Sequence, residues 1–129
     1  MIAKDIMTRD VIMVSPTMTV KNLAMTLIKN QISGAPVAGK AGKIVGVVSE
    51  SDIIAKKGKQ VSMIMSKKII SVLEETPVEE IARMMITHHI KRLPVMSDGK
   101  VVGIVSQADI VSAIALGKHV ALHTPIYDL

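Results

Sequence analysis

Two stretches of the chain repeat the apolar pattern of an amphipathic helix. In the first, apolar residues recur at spacings of three and four, as Val20, Leu23, Ala24, Leu27 and Ile28. The second has the same spacing, as Val78, Ile81, Ala82, Met85 and Ile86. Side chains spaced in this way share one face of a helix. The pattern therefore predicts helices within residues 17–31 and from Pro77 onward, the second with a capping box formed by Thr76 and Glu79.

Short apolar runs on either side of each helix predict strands. Val11–Val14 precedes the first helix, and Pro-Val steps at Pro36 and Pro94 follow the two helices. Further runs at 43–49 and 100–106 complete a hairpin in each half, and Asp98-Gly99 is a strong turn signal between the last two strands. A second helix is expected after each hairpin. Each half thus reads strand, helix, strand, strand, helix.

The whole pattern is written twice. Residues 46–52 read GVVSESD, and residues 103–109 read GIVSQAD. The apolar positions before each motif also match, which indicates an internal duplication. We assign the repeats to residues 1–58 and 59–116, with a tail at 117–129 outside the pattern. Because so short a unit would be marginally stable alone, we expect the two repeats to form one compact module.

Composition excludes several classes of protein. The 129 residues contain no cysteine, so disulfides and thiolate metal sites are excluded, and a cytoplasmic location is expected. No uncharged apolar run is long enough for a membrane span, so we expect no membrane association. The net charge of +5 suits an anionic ligand. It also leaves nucleic acid open as a partner, although Phe and Trp are absent, so those rings cannot stack on bases.

The repeated motif places Ser and Asp at the junction of a strand and a helix. One interpretation is structural: Ser49 and Ser106 cap the helices, and Asp52 and Asp109 lie near the positive end of the helix dipole. The other is functional, because a helix N-terminus offers backbone N–H groups to an anion such as phosphate. The carboxylates could also accept hydrogen bonds from a ribose diol. Both interpretations fit a single copy, and the duplication favours paired binding sites.

The order and spacing of these motifs resemble a known family. Met7-Thr8, Val11, Pro36-Val37 and the motif at 46–52, all repeated in tandem, are similar to the cystathionine β-synthase (CBS) domain pair. The resemblance covers nearly the whole chain. It implies an α/β (α+β) fold of two β-α-β-β-α repeats, packed sheet to sheet with pseudo-two-fold symmetry and two clefts between them. It also implies that the clefts bind adenosine compounds such as AMP, ADP, ATP or S-adenosylmethionine, that two modules pair as a homodimer, and that binding regulates another protein.

The resemblance also implies which residues contact the ligand. Its Ser/Thr-x-x-Asp element maps onto Ser49, Asp52, Ser106 and Asp109 as contacts to ribose and phosphate. The base would lie against Ile12 and Ile70, with Thr8 and Ser66 at the entrance to the first strand of each repeat. The phosphate position maps onto Ser33 and Gly34 in the first repeat and onto Lys91 and Arg92 in the second.

The difference between these last two pairs predicts unequal sites. Arg binds phosphate oxygens with a bidentate fork and Lys adds a second charge, so the site with Lys91 and Arg92 should prefer a phosphorylated nucleotide. The other site would be empty, weaker or suited to a less anionic ligand. Alternatively, Lys91 and Arg92 only solvate the negative end of a helix.

Other motifs in the chain are weaker evidence for a functional site. Residues 34–41 resemble a P-loop, but Ala41 stands where Ser or Thr would bind magnesium, and Pro36 lies inside the loop. His88 and His89 are adjacent, so they cannot share one helix face, and His119 and His123 lack a third ligand. Lysines also flank the junction of the repeats, at positions 56, 57, 59, 67 and 68.

We therefore expect a regulatory module rather than an enzyme. It should need no cofactor or metal, bind an adenosine compound and act on a partner protein that the sequence does not identify. Two alternatives stay open: an interaction scaffold whose clefts bind nothing, and a nucleic-acid binder that uses the junction lysines.

Overall fold

The computed structural model describes residues 1–116, and the predicted tail at 117–129 lies outside the described residues. Its helices are α1 (Ala3–Ile6), α2 (Val20–Asn30), α3 (Glu50–Ala55), α4 (Val61–Ile64), α5 (Val78–His88) and α6 (Gln107–Ala115). Its strands are β1 (Gly34–Ala38), β2 (Ile44–Ser49), β3 (Val72–Leu73), β4 (Arg92–Ser97) and β5 (Lys100–Ser106). The mixed α/β fold is therefore confirmed. Within residues 1–116, no helix is long and apolar enough to cross a membrane.

The chain folds into two compact units whose boundaries differ from those of the sequence repeats. One, here called the central unit, is Val11–Ile69. The other, the terminal unit, combines Met1–Asp10 with the chain from Ile70 onward. Each unit encloses its own cluster of buried side chains. The first ten residues thus pack with the second repeat, although the sequence places them in the first.

The two units contain equivalent sheets. In the terminal unit the strand order is β3-β4-β5, with β3 parallel and β5 antiparallel to β4. In the central unit β1 and β2 form an antiparallel pair, and Val14 adds one parallel bridge to Val37. The strand predicted over Val11–Val14 is therefore wrong in extent. The turn predicted at Asp98-Gly99 is confirmed, because both residues have positive φ, 51° and 77°, as a type I′ turn requires.

The amphipathic helices form where the apolar pattern places them. The Thr19 side chain caps α2 by accepting a hydrogen bond from the Asn22 N–H at 3.1 Å. The capping box predicted for α5 is wrong, because its N-cap is Pro77 and Thr76 accepts instead from the Leu73 N–H at 3.0 Å. These bonds fix the direction in which each chain segment enters its helix.

The apolar stripe of each helix is narrower than the sequence predicts. Leu23 and Leu27 are buried on α2, as are Val78, Ile81, Ala82 and Met85 on α5. The last stripe position is not buried in either unit: Ile28 is 77% exposed and Ile86 is 57% exposed. The same apolar position is thus left uncovered within both units.

The glycine of each repeated motif allows another segment to approach closely. A Cβ at Gly103 would lie 2.5 Å from Met7 Sδ and 3.0 Å from Met7 Cβ. A Cβ at Gly46 would lie 2.8 Å from both Met65 Sδ and the Ser66 carbonyl oxygen. A Cβ at either glycine would therefore force the neighbouring segment to shift. The two glycines therefore determine where the segments with Thr8 and Ser66 lie along β5 and β2.

Candidate functional site

In the terminal unit, the predicted site residues gather at the end of the sheet where β4 begins and β5 ends. Arg92 lies directly opposite Ser106 in the antiparallel ladder. Lys91 precedes Arg92, and its carbonyl accepts a hydrogen bond from the Gln107 N–H at 2.8 Å. Asp109 lies on the first turn of α6. The basic pair and the Ser/Asp motif, which are distant in sequence, are therefore brought together.

Ser106 and Asp109 form a reciprocal capping box. The Ser106 N–H donates to Asp109 Oδ2 at 2.8 Å, and the Asp109 N–H donates to Ser106 Oγ at 3.1 Å. The structural interpretation of the motif is therefore correct here. The box itself uses neither the Ser106 hydroxyl hydrogen nor Asp109 Oδ1.

The start of α6 is largely occupied by the protein's own groups. The Gln107 N–H is bound by the Lys91 carbonyl, and the Asp109 N–H by Ser106 Oγ. The sequence-based expectation that this helix N-terminus offers its N–H groups to an anion therefore needs correction. Any phosphate at this end of the sheet would rely on the side chains of Lys91 and Arg92.

Thr8 and Ile70 are the remaining predicted ligand residues in the terminal unit. Thr8 exchanges two backbone hydrogen bonds with Ile104, at 2.9 and 3.0 Å, two residues before Ser106 on β5. Ile70 is half-buried and lies two residues before β3, which runs parallel to β4. Both residues are thus positioned by strands that lead to or from the Ser106 end of the sheet.

The central unit repeats this arrangement with its own residues. Gly34 lies opposite Ser49, and the Ser33 carbonyl accepts a hydrogen bond from the Glu50 N–H at 2.9 Å. Ser66 exchanges backbone hydrogen bonds with Val47 at 2.8 and 2.9 Å. Ile12, on the segment that leads to Val14, is 36% exposed and offers apolar surface.

Among residues 1–116, the Asp52 carboxylate has more partners than its counterpart Asp109. Asp52 Oδ2 accepts from the Ser49 N–H at 2.9 Å and from Ser49 Oγ at 3.3 Å. Asp52 Oδ1 lies 2.9 Å from Lys56 Nζ, which also donates to the Ile64 carbonyl at 3.1 Å. Sequence reasoning placed Lys56 among the junction lysines and missed this contact, although the i,i+4 spacing on a helix signals it.

The compact units sort the predicted ligand residues into two sets. The terminal unit holds six of them, namely Thr8, Ile70, Lys91, Arg92, Ser106 and Asp109. The central unit holds Ile12, Ser33, Ser49, Asp52 and Ser66. Thr8 therefore belongs with Ser106 and not with the motif of its own repeat, and Ser66 belongs with Ser49.

Within residues 1–116, no group of three or more His, Asp or Glu side chains is placed to bind a metal ion. His89 is the C-cap of α5 with φ of 54°, so it lies off the regular helix that holds His88. His119 and His123 lie outside the described residues.

Comparison with known proteins settles the family. The CBS domain model matches residues 3–58 and again residues 61–116. The chain belongs to the CBS domain family. The CBS domain-containing protein YhcV of Bacillus subtilis is 30% identical over 114 residues, covering 83% of this chain and 81% of YhcV. The tandem repeat predicted from the sequence is therefore confirmed.

Solved CBS structures share this fold. The CBS domain pair of protein MJ0100, solved in complex with 5′-methylthioadenosine and S-adenosyl-L-methionine, superposes with a TM-score of 0.86 at 31% identity, covering 92% of this chain and 98% of that one. CBSX2 in complex with AMP gives a TM-score of 0.84 at 28% identity, with the same coverage of 92% and 98%. Both of these structures hold adenosine compounds.

Other relatives are larger proteins. L-aspartate semialdehyde sulfurtransferase of Methanocaldococcus jannaschii is 33% identical, and inosine-5′-monophosphate dehydrogenase of the same organism is 32% identical. Each alignment covers 84% of this chain. The chain spans 22% of the length of each enzyme, so the match concerns only a part of them.

Proposed function

We propose that this CBS pair is a sensor of an adenosine-containing small molecule. The observation that carries the proposal is the clustering of Lys91, Arg92, Ser106 and Asp109 at one end of the terminal sheet. These side chains offer two cations for phosphate and a carboxylate for a ribose diol. Support also comes from MJ0100 and CBSX2, whose structures contain adenosine compounds.

The chain would act on a partner through a shift in conformation. A ligand moves a conformational equilibrium only by the difference in its affinity for the two states. In this proposal the ligand binds at the end of a sheet where a strand meets the start of α3 or α6. Binding of the ligand would therefore be transmitted through these helices. In this proposal the chain regulates a partner protein and catalyses no reaction itself. We also propose that the chain needs no prosthetic cofactor.

Thermal melting with a panel of nucleotides tests the proposal. AMP, 5′-methylthioadenosine, S-adenosylmethionine and GTP are each added to the purified chain. A ligand at a hundred times its Kd adds about 2.7 kcal/mol to the free energy of unfolding, which raises the midpoint by several degrees. We expect adenosine compounds to do this and GTP not to. If no compound moves the midpoint, the scaffold alternative is favoured, because both capping boxes are complete without a ligand.

Replacing Lys91 by Met separates phosphate recognition from adenosine recognition. The Lys91→Met variant should bind AMP about tenfold or more weakly, because a hydrogen bond to a charged group is worth about 1.5–3 kcal/mol. Binding of 5′-methylthioadenosine, which has no phosphate, should change little. Lys100→Met removes the same charge at the opposite end of β5 and serves as the control. Equal weakening of both ligands in Lys91→Met would contradict the assigned role.

We also propose that two copies of the chain associate through their exposed helices. The two units leave apolar side chains exposed at equivalent positions: Ile28 on α2 and Ile86 on α5, at 77% and 57%, and Ile54 on α3 and Val111 on α6, at 87% and 63%. Solvent-exposed apolar side chains that recur on the helices of both repeats are the kind of surface that a self-complementary interface covers.

Sedimentation velocity tests this association. We expect the wild-type chain to sediment as a dimer, and the Ile28→Lys/Ile86→Lys variant to sediment as a monomer, because a charge cannot be buried there without a partner. Leu73→Lys changes an exposed apolar residue of β3 and should leave the dimer intact. A monomeric wild-type chain at high concentration would contradict the proposal.

A further inference from the structure

The two Ser-x-x-Asp elements differ in the partner of the second carboxylate oxygen. In the central unit, Asp52 Oδ1 lies 2.9 Å from Lys56 Nζ. In the terminal unit, the residue four positions after Asp109 is Ala113, which is 3% exposed and carries no charge. Asp109 Oδ1 makes no ion pair or hydrogen bond to another side chain among residues 1–116. The two Ser-x-x-Asp elements therefore have equivalent backbones, but their carboxylates have different partners.

Lys56 is held in place from two sides. Its ammonium group contacts Asp52 on α3 and donates to the Ile64 carbonyl at 3.1 Å, at the end of α4. The Asp52 side chain is only 17% exposed, whereas that of Lys56 is 45% exposed. The lysine thus covers Asp52 Oδ1, the oxygen that the capping bonds do not use. A ribose diol would have to displace this ammonium group before Asp52 could accept its hydrogen bonds.

The hydroxyl groups of Ser49 and Ser106 also differ in the use of their hydrogen atoms. Ser49 Oγ donates toward Asp52 Oδ2 at 3.3 Å, so its hydrogen is already engaged. Ser106 Oγ accepts from the Asp109 N–H, so its hydrogen is available for another acceptor. The central element is therefore satisfied internally at both the carboxylate and the hydroxyl. Within residues 1–116, the capping box of the terminal element leaves one donor and one acceptor unused.

We propose that Lys56 is a specificity-determining residue that occupies the diol acceptor of the central unit, so that an adenosine ligand binds more tightly at the terminal unit than at the central unit. This inference rests on the proposed adenosine sensing and adds which element binds better and which residue decides it. Lys56 acts as an internal competitor for Asp52. Because an exposed ion pair is weak, the competition lowers affinity at the central element by about twofold to fivefold.

Titration calorimetry with 5′-methylthioadenosine tests the inference, because this probe carries the diol without a phosphate. We expect two unequal binding events in the wild-type chain, and we expect the weaker event to gain affinity by about twofold to fivefold in Lys56→Met. Lys57→Met removes a neighbouring exposed charge and should leave both events unchanged. Adding Asp52→Asn to Lys56→Met should remove the weaker event, which would place it in the central unit.

The outcomes separate the two proposals. Absence of binding by every adenosine compound overturns the sensing function itself. Two equal sites in the wild-type chain, or an unchanged weaker event in Lys56→Met, overturns the role of Lys56 and leaves the sensing function standing. Weaker binding in Lys56→Met also overturns it, because Lys56 would then be a ligand contact. An equal gain of affinity in Lys57→Met would show a general effect of charge and would equally contradict the proposal.

Discussion

Gly46→Ala should lower the free energy of unfolding by about 2–3 kcal/mol, the upper part of the range for an overpacked site. The added Cβ would lie 2.8 Å from the Ser66 carbonyl oxygen, which is backbone and accepts the Val47 N–H. Backbone cannot move away without breaking this bond. Urea denaturation of the variant and of the wild-type chain measures the difference.

Gly103→Ala should cost less, about 1–2 kcal/mol. Its Cβ meets only side-chain atoms of Met7, and the thioether end of a methionine can turn away. A double-mutant cycle sharpens the comparison. Shortening Met7 to Ala should relieve much of the cost of Gly103→Ala, which gives a coupling energy.

The same cycle in the central unit should behave differently. Met65→Ala removes one neighbour of Gly46 but leaves the Ser66 carbonyl in place, so little of the cost should be relieved. If Gly46→Ala and Gly103→Ala both cost under about 0.5 kcal/mol, the range of an ordinary surface change, the close approach that positions Thr8 and Ser66 would be contradicted.

Local features of the fold could be predicted from the sequence because they depend on neighbouring residues. Helical spacing located α2 and α5, and Asp98-Gly99 located the turn between β4 and β5. The Ser-x-x-Asp spacing predicted helix caps, and the capping bonds of Ser49 and Ser106 follow from it. The physics behind each of these predictions acts over a few residues.

The pairing of segments could not be predicted, because the duplication makes it ambiguous. Met7 and Met65 both follow an isoleucine, and both find a glycine on a strand as their partner. Each methionine could in principle fill the space beside either Gly46 or Gly103. The choice depends on the path of the connecting chain, which local sequence patterns do not contain. For this reason the sequence pattern assigns Thr8 to the first repeat, whereas in the structure Thr8 lies in the terminal unit.

The exposure of the last apolar position on each helix could not be predicted from the sequence either. Ile28 and Ile86 fit the helical pattern, yet both side chains are exposed in the described part of the chain. Hydrophobic periodicity shows which residues share a face, and it does not show how wide the packed surface beneath them is. In the proposed dimer, the uncovered positions would be covered by the second copy.

Asp109→Ala should abolish the stabilisation by adenosine compounds while costing the unliganded chain only about 1 kcal/mol, the value of a helix cap. The two effects have different causes. The stability loss comes from the Ser106 N–H bond to Asp109 Oδ2, and the binding loss comes from the acceptor that the diol requires. Two hydrogen bonds to a carboxylate are together worth enough to weaken binding about a hundredfold.

Asp52→Ala is the matched control, since it removes the equivalent capping bond from the central unit. It should lower the melting midpoint by a similar amount and preserve the ligand-induced shift, because Asp52 is already engaged by Lys56. Melting curves of the two variants with and without AMP measure both quantities at once. If the ligand shift were lost in Asp52→Ala and kept in Asp109→Ala, the assignment of the binding element to the terminal unit would be wrong. A shift lost in both variants would mean that each carboxylate takes part in binding, and a shift lost in neither would leave the Ser-x-x-Asp element with its capping role alone.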